Sequence, residues 1–162
     1  MCEHCGCRGV EPLAELMDEH LALLDLGGDV RRQLVAGDRA AAFAGLEVVG
    51  RLLDRHVGRE ERGVFTALKD QGEFVEAVEE LEAEHLSFDA QLASLDPDAD
   101  DFGDRVMELL EELSLHIAKE NLGIFPVAVV TLGARGWETV GKAHDEEPSF
   151  LAEDAPATLP RA

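Results

Sequence analysis

Two stretches of this chain decide its fold: His56-Val-Gly-Arg-Glu60-Glu-Arg-Gly-Val-Phe65 and His116-Ile-Ala-Lys-Glu120-Asn-Leu-Gly-Ile-Phe125. They repeat the same His, Glu, Gly and Phe positions, sixty residues apart. Residues four apart on a helix share one face, one turn apart. Each stretch therefore presents an imidazole and a carboxylate side by side. A second match lies upstream of each: Glu15-Leu-Met-Asp-Glu-His20-Leu and Glu80-Leu-Glu-Ala-Glu-His85-Leu. The chain reads as two copies of a helix pair, each contributing His followed by His-x3-Glu.

Apolar residues extend these stretches into regular seams. One helix reads Leu13, Leu16, His20, Leu23, and the next Ala42, Leu46, Val49, Leu53, His56, Glu60, Val64. A third reads Phe74, Val78, Leu81, His85, Phe88, Leu92, Leu95, and a fourth Phe102, Val106, Leu109, Leu113, His116, Glu120. Such stripes belong to the core-facing sides of antiparallel bundle helices. The expected fold is all-α: an up-down four-helix bundle with a short extra C-terminal helix. Gly27-Gly28 is expected to stop the first helix, leaving a short helical stretch over 29–36. Asp38 is suited to cap a second helix reaching about Asp70, ended by Gln71-Gly72. The third helix is expected over 73–95, with a turn at Asp96-Pro97-Asp98. Pro126 should bend or end the fourth, and the extra helix is expected over 136–143. The organisation is thus a Cys-rich start (1–10), the bundle (11–144) and an acidic tail (145–162) expected to be disordered.

The composition bounds the function. The chain has 162 residues, 14 basic and 35 acidic, for a net charge of −21. That charge disfavours nucleic acid and anionic membrane surfaces as partners and favours cations. No signal peptide and no apolar run of membrane-spanning length is apparent, which suggests the cytoplasm. Tyrosine is absent, so no tyrosyl radical enters any mechanism.

With short connections, the four mid-helix histidines fall at one level of the bundle. Imidazole and carboxylate together suit iron, manganese or zinc. Four His and two Glu exceed one tetrahedral zinc shell but suit two metals, with the glutamates bridging and the histidines at the ends. Buried without a metal, such groups would cost several kcal/mol for each unpaired charge.

The pattern resembles the hemerythrin-like (HHE) family from about Leu13 to Leu132. The followers Glu61 and Phe65, Asn121 and Phe125-Pro126, and Trp137, resemble it too. The start, Cys2-Glu-His-Cys5-Gly-Cys7, is similar to an actinobacterial branch. The resemblance implies a four-helix bundle around a non-haem di-iron centre, oxo- or hydroxo-bridged, that handles oxygen or related oxidants. The implied ligands are His20, His56, Glu60, His85, His116 and Glu120. The sequence departs from the oxygen carriers, which place two His one turn apart on the third helix. Here Leu81 and Asp89 flank His85, and the fourth helix has His-x3-Glu rather than His-x4-Asp. Water, Asp89 or His144 could fill the gap. Binding of oxygen, peroxide or nitric oxide at an open position follows, with peroxide- or nitric-oxide-handling enzyme activity left open and a role in oxidative stress implied.

Cys2, Cys5 and Cys7 offer a second metal site. Closely spaced thiols in a cytoplasmic protein more often bind metal or act in redox chemistry than form a structural disulfide. With His4 or His144 they would complete a tetrahedral zinc shell. Glu61 and Asn121 sit about 100° off the ligand face, so they are expected behind the ligands or in solvent. The competing reading is an iron- or redox-responsive regulator or metal store without turnover. Its protein partner is not specified by the sequence.

Overall fold

A computed structural model describes residues 9–72 and 74–152. Among them there are helices and no strand, as the seams require. Helix α1 spans Glu11–Val35, with Pro12 in its first turn, where a missing N–H goes unused. It turns through Gly37 (φ 79°) into α2, Arg39–Glu60. Asp38 caps α2 by accepting from the Ala41 amide at 2.9 Å. A π turn at Glu61–Phe65 carries α2 directly into α3, Thr66–Gln71, which Gly72 ends at φ 75°. Helix α4 spans Val75–Ala93. Helix α5, Phe102–Lys119, passes through a second π turn, Glu120–Ile124, into α6, Phe125–Thr131. The extra helix is α7, Ala134–Glu146.

Four expectations are corrected. Gly27-Gly28 does not stop the first helix; α1 runs through both glycines. Gly27 is buried where α1 meets α5, and a Cβ there would lie 3.2 Å from Leu110 Cδ2. The glycine serves close helix packing, which overrides its low helix propensity. Phe74 does not join the third seam. It precedes α4 in the left-handed region (φ 58°) and is exposed, with Val78 the first buried seam residue of α4. Pro126 does not end the fourth helix. It follows a π turn in which the Phe125 amide reaches back to the Glu120 carbonyl, so the hydrogen-bond ladder is already displaced where proline would break it. The tail also begins later than residue 145. Helix α7 runs to Glu146, and Ser149 and Phe150 are buried against the bundle. Residues 153–162, and Cys2, His4, Cys5 and Cys7, lie outside the described residues.

The continuous stretch Phe102–Thr131 is long and apolar enough to cross a membrane by length and composition. Its inner face, however, carries His116 and Glu120 into the bundle core.

Two apolar clusters form that core. One gathers Leu13, Leu16, Val64, Phe65, Leu81, Ile124 and Phe125; the other gathers Leu23, Leu53, Phe88, Phe102, Leu109 and Leu113. In every long helix the His or Glu falls in sequence between members of the two clusters. The core is thus divided by one polar layer, walled above and below by packed hydrocarbon.

Candidate metal centre

All six of His20, His56, Glu60, His85, His116 and Glu120 lie in that layer, each at most 3% exposed. Two groupings could each hold a metal ion: His20, His56, Glu60 and Glu120, and His85, His116 and Glu120. The carboxylates face both histidine pairs. Glu60 Oε1 lies 3.1 Å from His56 Nε2 and 3.5 Å from His20 Nε2, while its Oε2 lies 3.7 Å from His85 Nε2. Glu120 mirrors this: Oε2 is 3.0 Å from His20 Nε2, and Oε1 is 3.1 Å from His116 Nε2 and 3.7 Å from His85 Nε2.

The other ring nitrogen of each histidine is held from outside. His56 Nδ1 pairs with Glu19 at 2.6 Å and His116 Nδ1 with Glu84 at 2.7 Å. His85 Nδ1 pairs with Glu61 at 2.9 Å and His20 Nδ1 with Asn121 at 3.1 Å. The internal repeat governs these contacts. The Glu before each upstream His supports the downstream His of its own pair, and the residue after each Glu of His-x3-Glu supports a His of the other pair. Phe125 stacks on His20 and Phe65 on His85, both at 5.7 Å between ring centres. An Nδ1 fixed in this way orients the ring and leaves Nε2 for a metal.

The π turns help explain how neighbouring residues do different work. More residues per turn mean less rotation per residue. Glu60 faces the centre while Glu61 reaches His85, and Glu120 faces it while Asn121 reaches His20. Thr66 Oγ1 donates to the Glu61 carbonyl at 2.6 Å and so supports the first of these turns.

Without a metal this layer balances its charges only through close His–Glu contacts. The Nε2 atoms of His20 and His56, and both oxygens of Glu60 and of Glu120, are buried and make no well-aligned hydrogen bond among the described residues. They meet the facing rings and carboxylates in the contacts just given. His85 Nε2 and His116 Nε2 face each other at 2.9 Å. Burial alone would push His20 down, yet Glu120 and Glu60 hold it up at about 10. Burial likewise opposes the charge on His85, which Glu120, Glu60 and Glu61 raise to about 9. A metal cation could take the place of these protonated rings as counter-charge to the two buried carboxylates, with the ring nitrogens and carboxylate oxygens as its donors.

Sequence reasoning did not single out Arg59, Glu19 or Glu84. Arg59 is buried, holds Glu19 and lies 2.5 Å from Glu15. Burial opposes ionisation of Glu19, but hydrogen bonds with His56 and Ser149 and the Arg59 charge bring it below its ordinary value. The signal for Glu19 and Glu84 was the shared Glu-His dipeptide of the repeat; Arg59 had none, since Lys119 at the matching position is half-exposed.

Two sequence candidates are not brought to the centre. Asp89 is exposed. His144 packs outside the layer, with its Nδ1 2.6 Å from Arg59 Nη2 and 3.2 Å from Glu15 Oε2, so its partners among the described residues are these two groups and not the six residues of the centre.

A search of the curated proteins and of the solved structures gave no match. The family model described as the hemerythrin HHE cation-binding domain matches residues 11–128. The helical bundle, a His/Glu layer able to hold metal and this match agree, and the chain belongs to the hemerythrin HHE cation-binding domain family.

Proposed function

We propose that this protein is a non-haem di-iron protein whose centre binds or reacts with oxygen, peroxide or nitric oxide. The observation that carries the reading is the bridging disposition of Glu60 and Glu120, each turning one oxygen to either histidine pair. His20 and His56 would hold one metal and His85 and His116 the other. A pair of irons supplies one-electron redox steps and coordination positions for a small oxidant. Two imidazoles and two carboxylate oxygens per metal fall short of octahedral coordination, which leaves room for that ligand.

The remaining work belongs to the chain's own residues. Glu19, Glu84, Glu61 and Asn121 hold the rings in orientation. Phe65 and Phe125 cover the layer and keep water out, which strengthens every charge interaction inside it. The thiol-rich start is consistent with a reducing, cytoplasmic setting.

The test is anaerobic addition of nitric oxide, and separately of hydrogen peroxide, to reduced, iron-loaded protein. Optical and EPR changes saturating at the metal content, and lost in Glu120→Ala, are expected. A loaded protein inert to oxygen, nitric oxide and peroxide would overturn the reading.

One observation favours a regulator or metal store instead. The His144–Arg59–Glu19–His56 chain ties α7 to a proposed ligand. Iron-dependent docking of α7 without turnover would support that alternative.

A further inference from the structure

The two histidine pairs are closed off from water to different degrees. Behind His56 stand Glu19 at 0% exposure and Arg59 at 1%, with His144, Ser149 and the C-terminal turn packed outside them. Helix α7 lies directly on the first π turn, where a Cβ at Gly63 would be 3.4 Å from the Ala143 Cβ. Among the described residues the second π turn has no such cover; a Cβ at Gly123 would meet nothing within 4 Å. Behind His116 stands Glu84 at 27% exposure, held by Lys119 at 48%. A groove of about 180 Å³ between α4 and α5 opens there, with His116 and Phe88 in its lining and Ser87, Leu115, Glu84, Glu112 and Lys119 itself around them.

We propose that this groove is the passage by which a divalent transition-metal cation enters and leaves, so that the metal held by His85 and His116 is the labile one. The inference rests on the two-metal reading and adds an order of exchange to it. A cation in the groove displaces only the half-exposed Lys119, which can swing into solvent, and then meets the oxygens of Glu84 and Glu112 and the His116 ring. Glu84 is already hydrogen-bonded to that ring at 2.7 Å, so the same carboxylate that orients the ligand faces the incoming ion. The acidic chain concentrates cations at such a mouth. On the other side a cation would have to displace the buried Arg59 guanidinium, a like charge, from Glu19 and Glu15. The His20–His56 metal therefore exchanges slowly.

The experiment is chelator extraction from protein loaded with Co(II) or Zn(II), followed by metal content and, for cobalt, visible absorption. Two phases of about equal amplitude are expected. Leu115→Trp and, separately, Ser87→Trp, both at exposed positions on the groove wall, should slow the fast phase severalfold and leave the slow phase unchanged. A single phase for both metals would overturn the inference, as would two phases that neither variant moves. A chain that takes up no metal would instead overturn the two-metal reading on which the inference rests.

Discussion

The halves of this molecule present the same donors in the same order, His and then His-x3-Glu, and back them with different outer groups. In the first, the carboxylate behind the ligand is buried and answered by a buried arginine. In the second, the equivalent carboxylate is half-buried and answered by a half-exposed lysine. The residue following each glutamate differs as well: Glu61 supports His85, while Asn121 supports His20. The inner donors are the same in kind and order, although four of them gather around His20 and His56 and three around His85 and His116. The outer layers differ more, since α7 packs on the first π turn. The likeness is greatest where both halves face one layer and least where each histidine is held from outside.

The largest expected effect tests the shared part. Glu120→Ala removes the carboxylate common to both groupings, so both metals should be lost together, as elemental analysis would read. Loss of only one would show that the halves bind independently. The next effect tests the divergence. Glu19→Ala leaves Arg59 buried without its innermost partner and should destabilise the metal-free fold by about 3–5 kcal/mol in urea unfolding. Glu84→Ala, at a partly solvated pair, should cost within about 1 kcal/mol. Equal losses would erase the distinction between the covered and the open half.

The halves also differ by pH in the metal-free protein. The raised His85 and His20 contribute stability that is fully present below their unfolded value near 6.5. It is lost as pH rises through about 9 for His85 and about 10 for His20. Unfolding free energy should therefore decline from about pH 6.5, the His85 contribution levelling off before that of His20, with the two ring signals followed by NMR. The smallest effect comes from making the halves alike. Asn121→Asp gives His20 a carboxylate, as His85 already has, and should tighten metal binding by less than the roughly tenfold to hundredfold range typical of such outer partners. Competition with a chelator reads it; weaker binding would show that the amide is the better partner there.

The repeat explains why much of this was legible in the sequence. Residues four apart on a seam must share a face, so the six inner groups announced themselves, and with them the bundle. What escaped depended on contacts between elements. Gly27 resembles a helix stop until Leu110 is packed against it. Phe74 continues the seam by spacing, yet it falls before the helix begins. Glu61 and Asn121 point away from the ligand face in an ideal helix, and the structure puts Glu61 first and Asn121 second in a π turn that no periodicity announces. Arg59 is a surface residue by type, and α7 and the C-terminal turn make it a core one.

We propose that the six-residue layer holds two metals. Elemental analysis of protein expressed with ample iron decides this. Two irons per chain are expected, both absent from Glu120→Ala. No iron, or a single zinc that persists in Glu120→Ala, would contradict it.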